Sequence, residues 1–119
     1  MKLLIPGELP TLNEYVGAIA RNRYVGGSMK RVHTDIVYYH CREQKLSVCT
    51  KPVHITFKWF MKNKKKDIDN VAFAKKFILD GLVKAGVLYN DTQEWVTGFT
   101  DEFAIDKENP RVEVLVKEL

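Results

Sequence analysis

Residues 53 to 61 alternate without interruption, with Val53, Ile55, Phe57, Trp59 and Met61 on one side and His54, Thr56, Lys58 and Phe60 on the other. Successive side chains of a strand point to opposite faces, so this segment is a strand with one face that has to be buried. A buried sheet face needs a second layer, and two segments have the period to supply it. From about Met29 to Val48, the apolar residues Val32, Ile36, Tyr39 and Leu46 recur at roughly helical spacing, with Lys30, Arg31, Arg42 and Lys45 on other faces. Beyond Asp67 and Asp69, which offer side-chain caps, Val71, Ala74, Phe77, Ile78, Leu82 and Ala85 form one apolar stripe that Gly86 closes. Residues 2 to 6 read as a short strand broken by Pro6-Gly7, with a loop through Leu9-Pro10, and residues 94 to 99 and 111 to 116 read as two more strands. The order β, α, β, α, β, β predicts an α+β fold, a small mixed sheet with helices packed on one face.

At 119 residues the chain has room for one domain, expected to span 1–119. Apolar residues at 45% and charged residues at 29% exclude a disordered or collagenous chain. The opening apolar stretch, Leu3 to Ile5, is far too short for a secretion signal or a membrane span, which points to a soluble, cytoplasmic protein with no membrane partner. Cys41 and Cys49 have no second Cys or His pair to make a zinc site and read as free thiols of a reducing compartment.

The formal charge of +4 is unevenly distributed. Residues 1 to 66 hold 13 Lys or Arg against 4 Asp or Glu, whereas residues 67 to 119 hold 6 against 11. An arm of Arg21, Arg23, Lys30 and Arg31, with Asn22 and Tyr24 interleaved, can track phosphates, as can Lys64, Lys65 and Lys66; the alternative is a solvated basic surface.

Chemistry concentrates in Lys64-Lys65-Lys66-Asp67-Ile68-Asp69-Asn70. Two carboxylates one residue apart on a still extended chain point to the same side and can share a hard cation. Mg²⁺ favours carboxylate oxygens, and it takes one or two of them together with substrate phosphate oxygens and waters. Asp91, beyond the second helix, is the best third acid because the chain there can return to the mouth of the Asp67 strand; Asp80 is the weaker choice. The same residues can instead be helix caps and an Asn90-Asp91 turn. An EF-hand is excluded, because no Gly or terminal Glu follows at the required places. Lys75 and Lys76 follow the acidic pair, and either could reach a phosphate. With no Gly-rich phosphate loop, no Gly-x-Ser-x-Gly elbow and no paired histidines, nucleotide-cofactor, serine-hydrolase and zinc chemistry are unsupported.

Asp67-Ile68-Asp69-Asn70, Lys75-Lys76-Phe77-Ile78-Leu79-Asp80-Gly81-Leu82, Lys84-Ala85-Gly86-Val87 and Asn90-Asp91 together resemble the RusA-type Holliday-junction resolvases of bacteria and their phages. Leu9-Pro10-Thr11-Leu12-Asn13 is similar to that family's early Pro-rich segment ending in Asn. The resemblance implies a homodimeric, Mg²⁺-dependent endonuclease of DNA recombination and repair, which nicks two strands of like polarity in a four-way junction. It places the metal-binding acids on Asp67, Asp69 and Asp91, the essential lysine on Lys76, and DNA contacts on Asn13, Asn70 and the basic residues named above. The chain departs from the commonest pattern in two places. Phe73 stands where the lysine follows the second Asp by four residues, which makes the interval three residues longer, and Asn90 replaces a further Asp. A catalytically inactive DNA-binding module of the same fold is the competing expectation.

Overall fold

Strand β2 (Val53–Met61) takes an inner position in the sheet, as its alternation requires, and its five inward side chains are buried. In the computed structural model, which describes residues 1–119, it is joined by β1 (Lys2–Pro6), β3 (Val96–Ile105) and β4 (Arg111–Glu118) in the order β1-β4-β2-β3. β4 runs antiparallel to both β1 and β2, and β3 runs parallel to β2. The expected mixed sheet is therefore present. A parallel pair needs a crossover, and here α3 (Ile68–Ala72) and α4 (Lys75–Lys84) make it. Phe57, Ile55, Leu3, Ile5 and Val114 on the sheet meet Phe77, Ile78, Leu82 and Val37 of the helices in one core, so the helical layer lies on one face as expected. That cover stops short of β3: Phe99 and Ile105 share the inward face yet remain 50% and 40% exposed.

The helical layer differs from the expectation in two respects, both traceable to local chemistry. Residues 12 to 21, for which the sequence pattern predicts no element, form α1 (Leu12–Arg21), because Thr11 accepts the Glu14 N–H at 3.2 Å while Glu14 accepts the Thr11 N–H, a reciprocal box that caps the helix. Asn22 is extended and its Oδ1 accepts the Tyr24 N–H at 2.7 Å, which starts α2 (Arg23–Glu43) six residues before the expected Met29. The basic arm thus spans the end of α1 and the first half of α2 rather than a loose segment. The single helix expected after Asp67 is divided, since the N–H groups of Ala74, Lys76 and Phe77 bond three residues back and tighten the chain between α3 and α4. This tightened turn lies inside the interval that is three residues longer than the commonest family spacing.

Helices α2 and α4 cross closely at Gly81. A Cβ there would collide with the Val37 side chain and lie 3.1 Å from the Thr34 carbonyl oxygen. Alanine gains about 1 kcal/mol of helix propensity over glycine, but overpacking against a backbone carbonyl costs about 1–3 kcal/mol. Gly81→Ala is therefore expected to lower Tm by several degrees in a thermal melt, and an unchanged or raised Tm would show that the two helices separate freely.

At the other end of the sheet, Arg111 holds Asp106 and Glu113 at 2.8 Å each and lies over the Phe60 ring, and its guanidinium keeps both carboxyls below their ordinary range. Cys41 and Cys49 are free and buried, and burial pushes the Cys41 thiol up to about 11, so it stays protonated and inert. No helix is long and apolar enough to cross a membrane.

Candidate active site

Asp67 sits where α3 begins, with extended backbone (φ −69°, ψ 144°) and no capping hydrogen bond from its side chain. The chain is helical from Ile68, so Asp69 projects from the first turn of α3 and not from an extended segment as the sequence predicted. The Asp69 carboxylate accepts only the N–H of its neighbour Asn70, at 3.0 Å. Both acids are exposed, and three nearby lysines are engaged elsewhere: Lys66 with Glu14 at 3.8 Å, Lys75 with Asp101 and Lys76 with Asp80. The capping role that a bland reading assigns to Asp67 is not taken up. Two hard oxygen donors are left free to meet a ligand, a donor set suited to Mg²⁺.

Asp69 lines a cleft with Leu12, Ala72, Phe73, Lys75 and Asp101. Lys75 is the lysine that faces it. Its Nζ lies 2.6 Å from Asp101 Oδ2 and 4.3 Å from the centre of the Phe99 ring, and the side chain is only 18% exposed. Lys76, one residue on and so about 100° around the helix, turns instead to Asp80 at 3.2 Å. Asp80 also faces Lys30 at 3.8 Å through its buried Oδ2, which has no hydrogen-bond partner, so it is a charged junction between α2 and α4 and does not line the cleft.

Asp101 was not among the residues that sequence reasoning selected, because the strand carrying it was read as ending at residue 99. The alternation Phe99, Asp101, Phe103, Ile105 continues in register with Ile55, Phe57, Trp59 and Met61, and following it would have placed Asp101 on the inward face. Asp91 is not brought to Asp67 and Asp69. The segment before β3 runs beside the opening end of β2, where Cys49 bonds Val87 and Val53 bonds Trp95, both at 2.8 Å, whereas Asp67 follows the closing end of β2. Nine strand residues separate those ends, about 26 Å at the usual rise. No three acidic, His or Cys side chains of the chain approach closely enough to hold a metal ion.

The remaining candidates border this region unequally. The Lys66–Glu14 ion pair sets the exposed Lys64 and Lys65 beside the first turn of α1, which also carries Asn13 and contributes Leu12 to the cleft. Asn70 follows Asp69 in α3. Arg21, Arg23 and Arg31 lie farther along the α1–α2 hairpin, Arg23 over the Tyr24 ring and Arg31 beside Ser28, and they form a second exposed basic patch.

No curated protein matches the chain significantly. A family model does: endodeoxyribonuclease RusA, over residues 5–117. That match takes in the end of β1, the α1–α2 hairpin, the acidic pair, the cleft with Lys75, and nearly all of β4, so the chain belongs to the RusA endodeoxyribonuclease family.

Proposed function

We propose that this chain is a structure-specific endodeoxyribonuclease that resolves Holliday junctions by paired nicks, in keeping with the resolvase nuclease activity that its family implies. The observation that supports it best is the cleft that the unengaged carboxylate of Asp69 shares with the held ammonium of Lys75, two residues beyond the equally unengaged Asp67 and close in sequence to the exposed Lys64 and Lys65. Asp67 and Asp69 would hold Mg²⁺, which when bound lowers the pKa of a water and polarises the scissile phosphate. Lys75, in preference to Lys76, supplies the positive charge that offsets the negative charge building on that phosphate. Lys64, Lys65 and Lys66 steer the phosphate backbone toward the cleft, while Arg21, Arg23 and Arg31 hold more distant phosphates, with an affinity that falls as salt rises. Hydrolysis leaves a 5′-phosphate and a 3′-hydroxyl.

Two opposed nicks need two sites, which a two-fold pair of chains provides on a two-fold junction. Supporting a homodimer, Val25, Met29, Val32, Ile36 and Tyr39 follow intervals of four, three, four and three along α2, the seam spacing by which one helix takes another, and all but Met29 are exposed. A two-fold pair is also the arrangement in which the third acid, too distant within one chain, would be Asp91 of the partner subunit.

The test is cleavage of a synthetic mobile four-way junction against a linear duplex of the same sequence, with and without Mg²⁺. Paired symmetric nicks confined to the junction with metal are expected. Binding without nicks would leave the inactive DNA-binding module instead, and neither binding nor nicks would sink the proposal.

A further inference from the structure

A lysine is a poor fixed charge unless something holds it. Its four-carbon stem carries a large rotamer entropy, and an exposed ammonium samples many positions. Lys75 is held. Besides the 2.6 Å bond to Asp101 Oδ2, its Nζ lies over the rings of Phe99 and Phe57, at 4.3 and 5.7 Å from their centres. Asp101 is held in turn, since its Oδ1 accepts the indole N–H of Trp59 at 2.8 Å. Trp59 is 2% exposed and stacks on Phe57, itself fully buried, so the chain of contacts starts in the core and ends at the cleft that contains Asp69.

The placement of Asp101 is itself informative. It is on the inward face of β3 between Phe99 and Phe103, opposite Phe57, where a carboxylate is costly unless both oxygens find donors. Both do, and with both oxygens so used Asp101 is unsuited to bind a cation directly. One donor comes from the core and the other from the lysine that lines the cleft with Asp69. An ammonium has three N–H donors, and the bond to Asp101 leaves two.

From this geometry we infer that Asp101 is a positioning residue for the nuclease reaction: anchored by Trp59, it fixes the Lys75 ammonium at the cleft so that its remaining donors meet the reacting phosphate. The inference rests on reading the cleft as the nuclease site. Its value for rate lies in prior organisation, because a charge already in place costs no reorganisation when the phosphate reaches its most charged state.

Asp101→Asn separates positioning from a merely structural role, since the amide keeps an oxygen for the Trp59 N–H and loses the charge that holds Lys75. The expected result is a Tm within a few degrees of wild type, a junction Kd within about twofold, and a single-turnover nicking rate at saturating enzyme at least about tenfold lower. Lys75→Ala alone gives a similar fall, and adding it to Asp101→Asn lowers the rate by less than about twofold more, because the two act as a unit. A readout independent of cleavage is the ¹⁵N signal of the Lys75 ammonium, expected to be sharp in wild type and broadened in Asp101→Asn. An unchanged rate in Asp101→Asn, losses that multiply in the double variant, or an ammonium signal indifferent to Asp101 would each overturn the positioning role while leaving a wild-type nuclease in place. A wild-type chain that never nicks a junction removes the nuclease reading, and this role with it.

Discussion

Asp69→Asn is expected to lower junction nicking by about a thousandfold or more while junction affinity stays within a few-fold of wild type or tightens. The reasoning begins with what Asp69 does not do. Its carboxylate has no lysine or arginine partner and accepts only the adjacent Asn70 N–H, so the fold loses almost nothing when the charge is removed. The amide is nearly isosteric and still accepts that bond. What it lacks is one of the hard, anionic oxygens for a divalent cation, and a cation that has lost one of its carboxylates is both more weakly bound and less well placed. Binding should survive because removing a negative charge near phosphates reduces repulsion. The measurement is a single-turnover cleavage assay beside a gel-shift titration on the same junction. Cleavage at the wild-type rate would remove Asp69 from the mechanism, and loss of both binding and melting cooperativity would assign it to the fold.

Mixed subunits give the second large effect. Asp69→Asn and Asp91→Asn proteins, each inactive alone, are expected to regain nicking when unfolded together and refolded as an equal mixture. Half the dimers are then mixed, and if each site takes Asp67 and Asp69 from one chain and Asp91 from the other, a mixed dimer has one intact site and one carrying both changes. On the order of a quarter of all sites recover, by the symmetry of a two-fold pair. The products should be single nicks rather than paired ones, because no dimer in the mixture has two good sites. The expectation follows from the separation of Asp91 from the acidic pair within one chain and from the absence of any three-acid cluster there. No recovery would place all required acids in one chain, and recovery of paired nicks would point to subunit exchange restoring something other than the site.

The legibility of this protein in its sequence varied with how local the governing physics is. β2 was read to the residue, because nine alternating side chains have one solution in a half-buried sheet. β1 was read as well, and β4 differed only at its end, each being flanked by turn residues. α1 was missed although its signal was present: Thr11 and Glu14 are a capping box immediately after Pro10. β3 was cut short at residue 99, because its outward residues are mixed in polarity and its inward face carries a carboxylate that no period anticipates.

The site divides along the same line. The sequence by itself determined the acidic pair, the lysine run and the family that they mark, because residue type and short spacing carry that chemistry. Only the tertiary structure decided which lysine lines the cleft that contains Asp69. Lys75 and Lys76 are neighbours in sequence, yet about 100° of helix rotation and a tightened turn send one to Asp101 in the cleft and the other to Asp80 against α2. Tertiary structure also brought in Asp101, separated from Lys75 by 26 residues, and left Asp91 at the far end of β2. The physical reason is common to all three: a parallel β2–β3 pair sends the chain back across the sheet before the second strand begins, and the crossover, not the spacing of residues along the chain, sets what meets what.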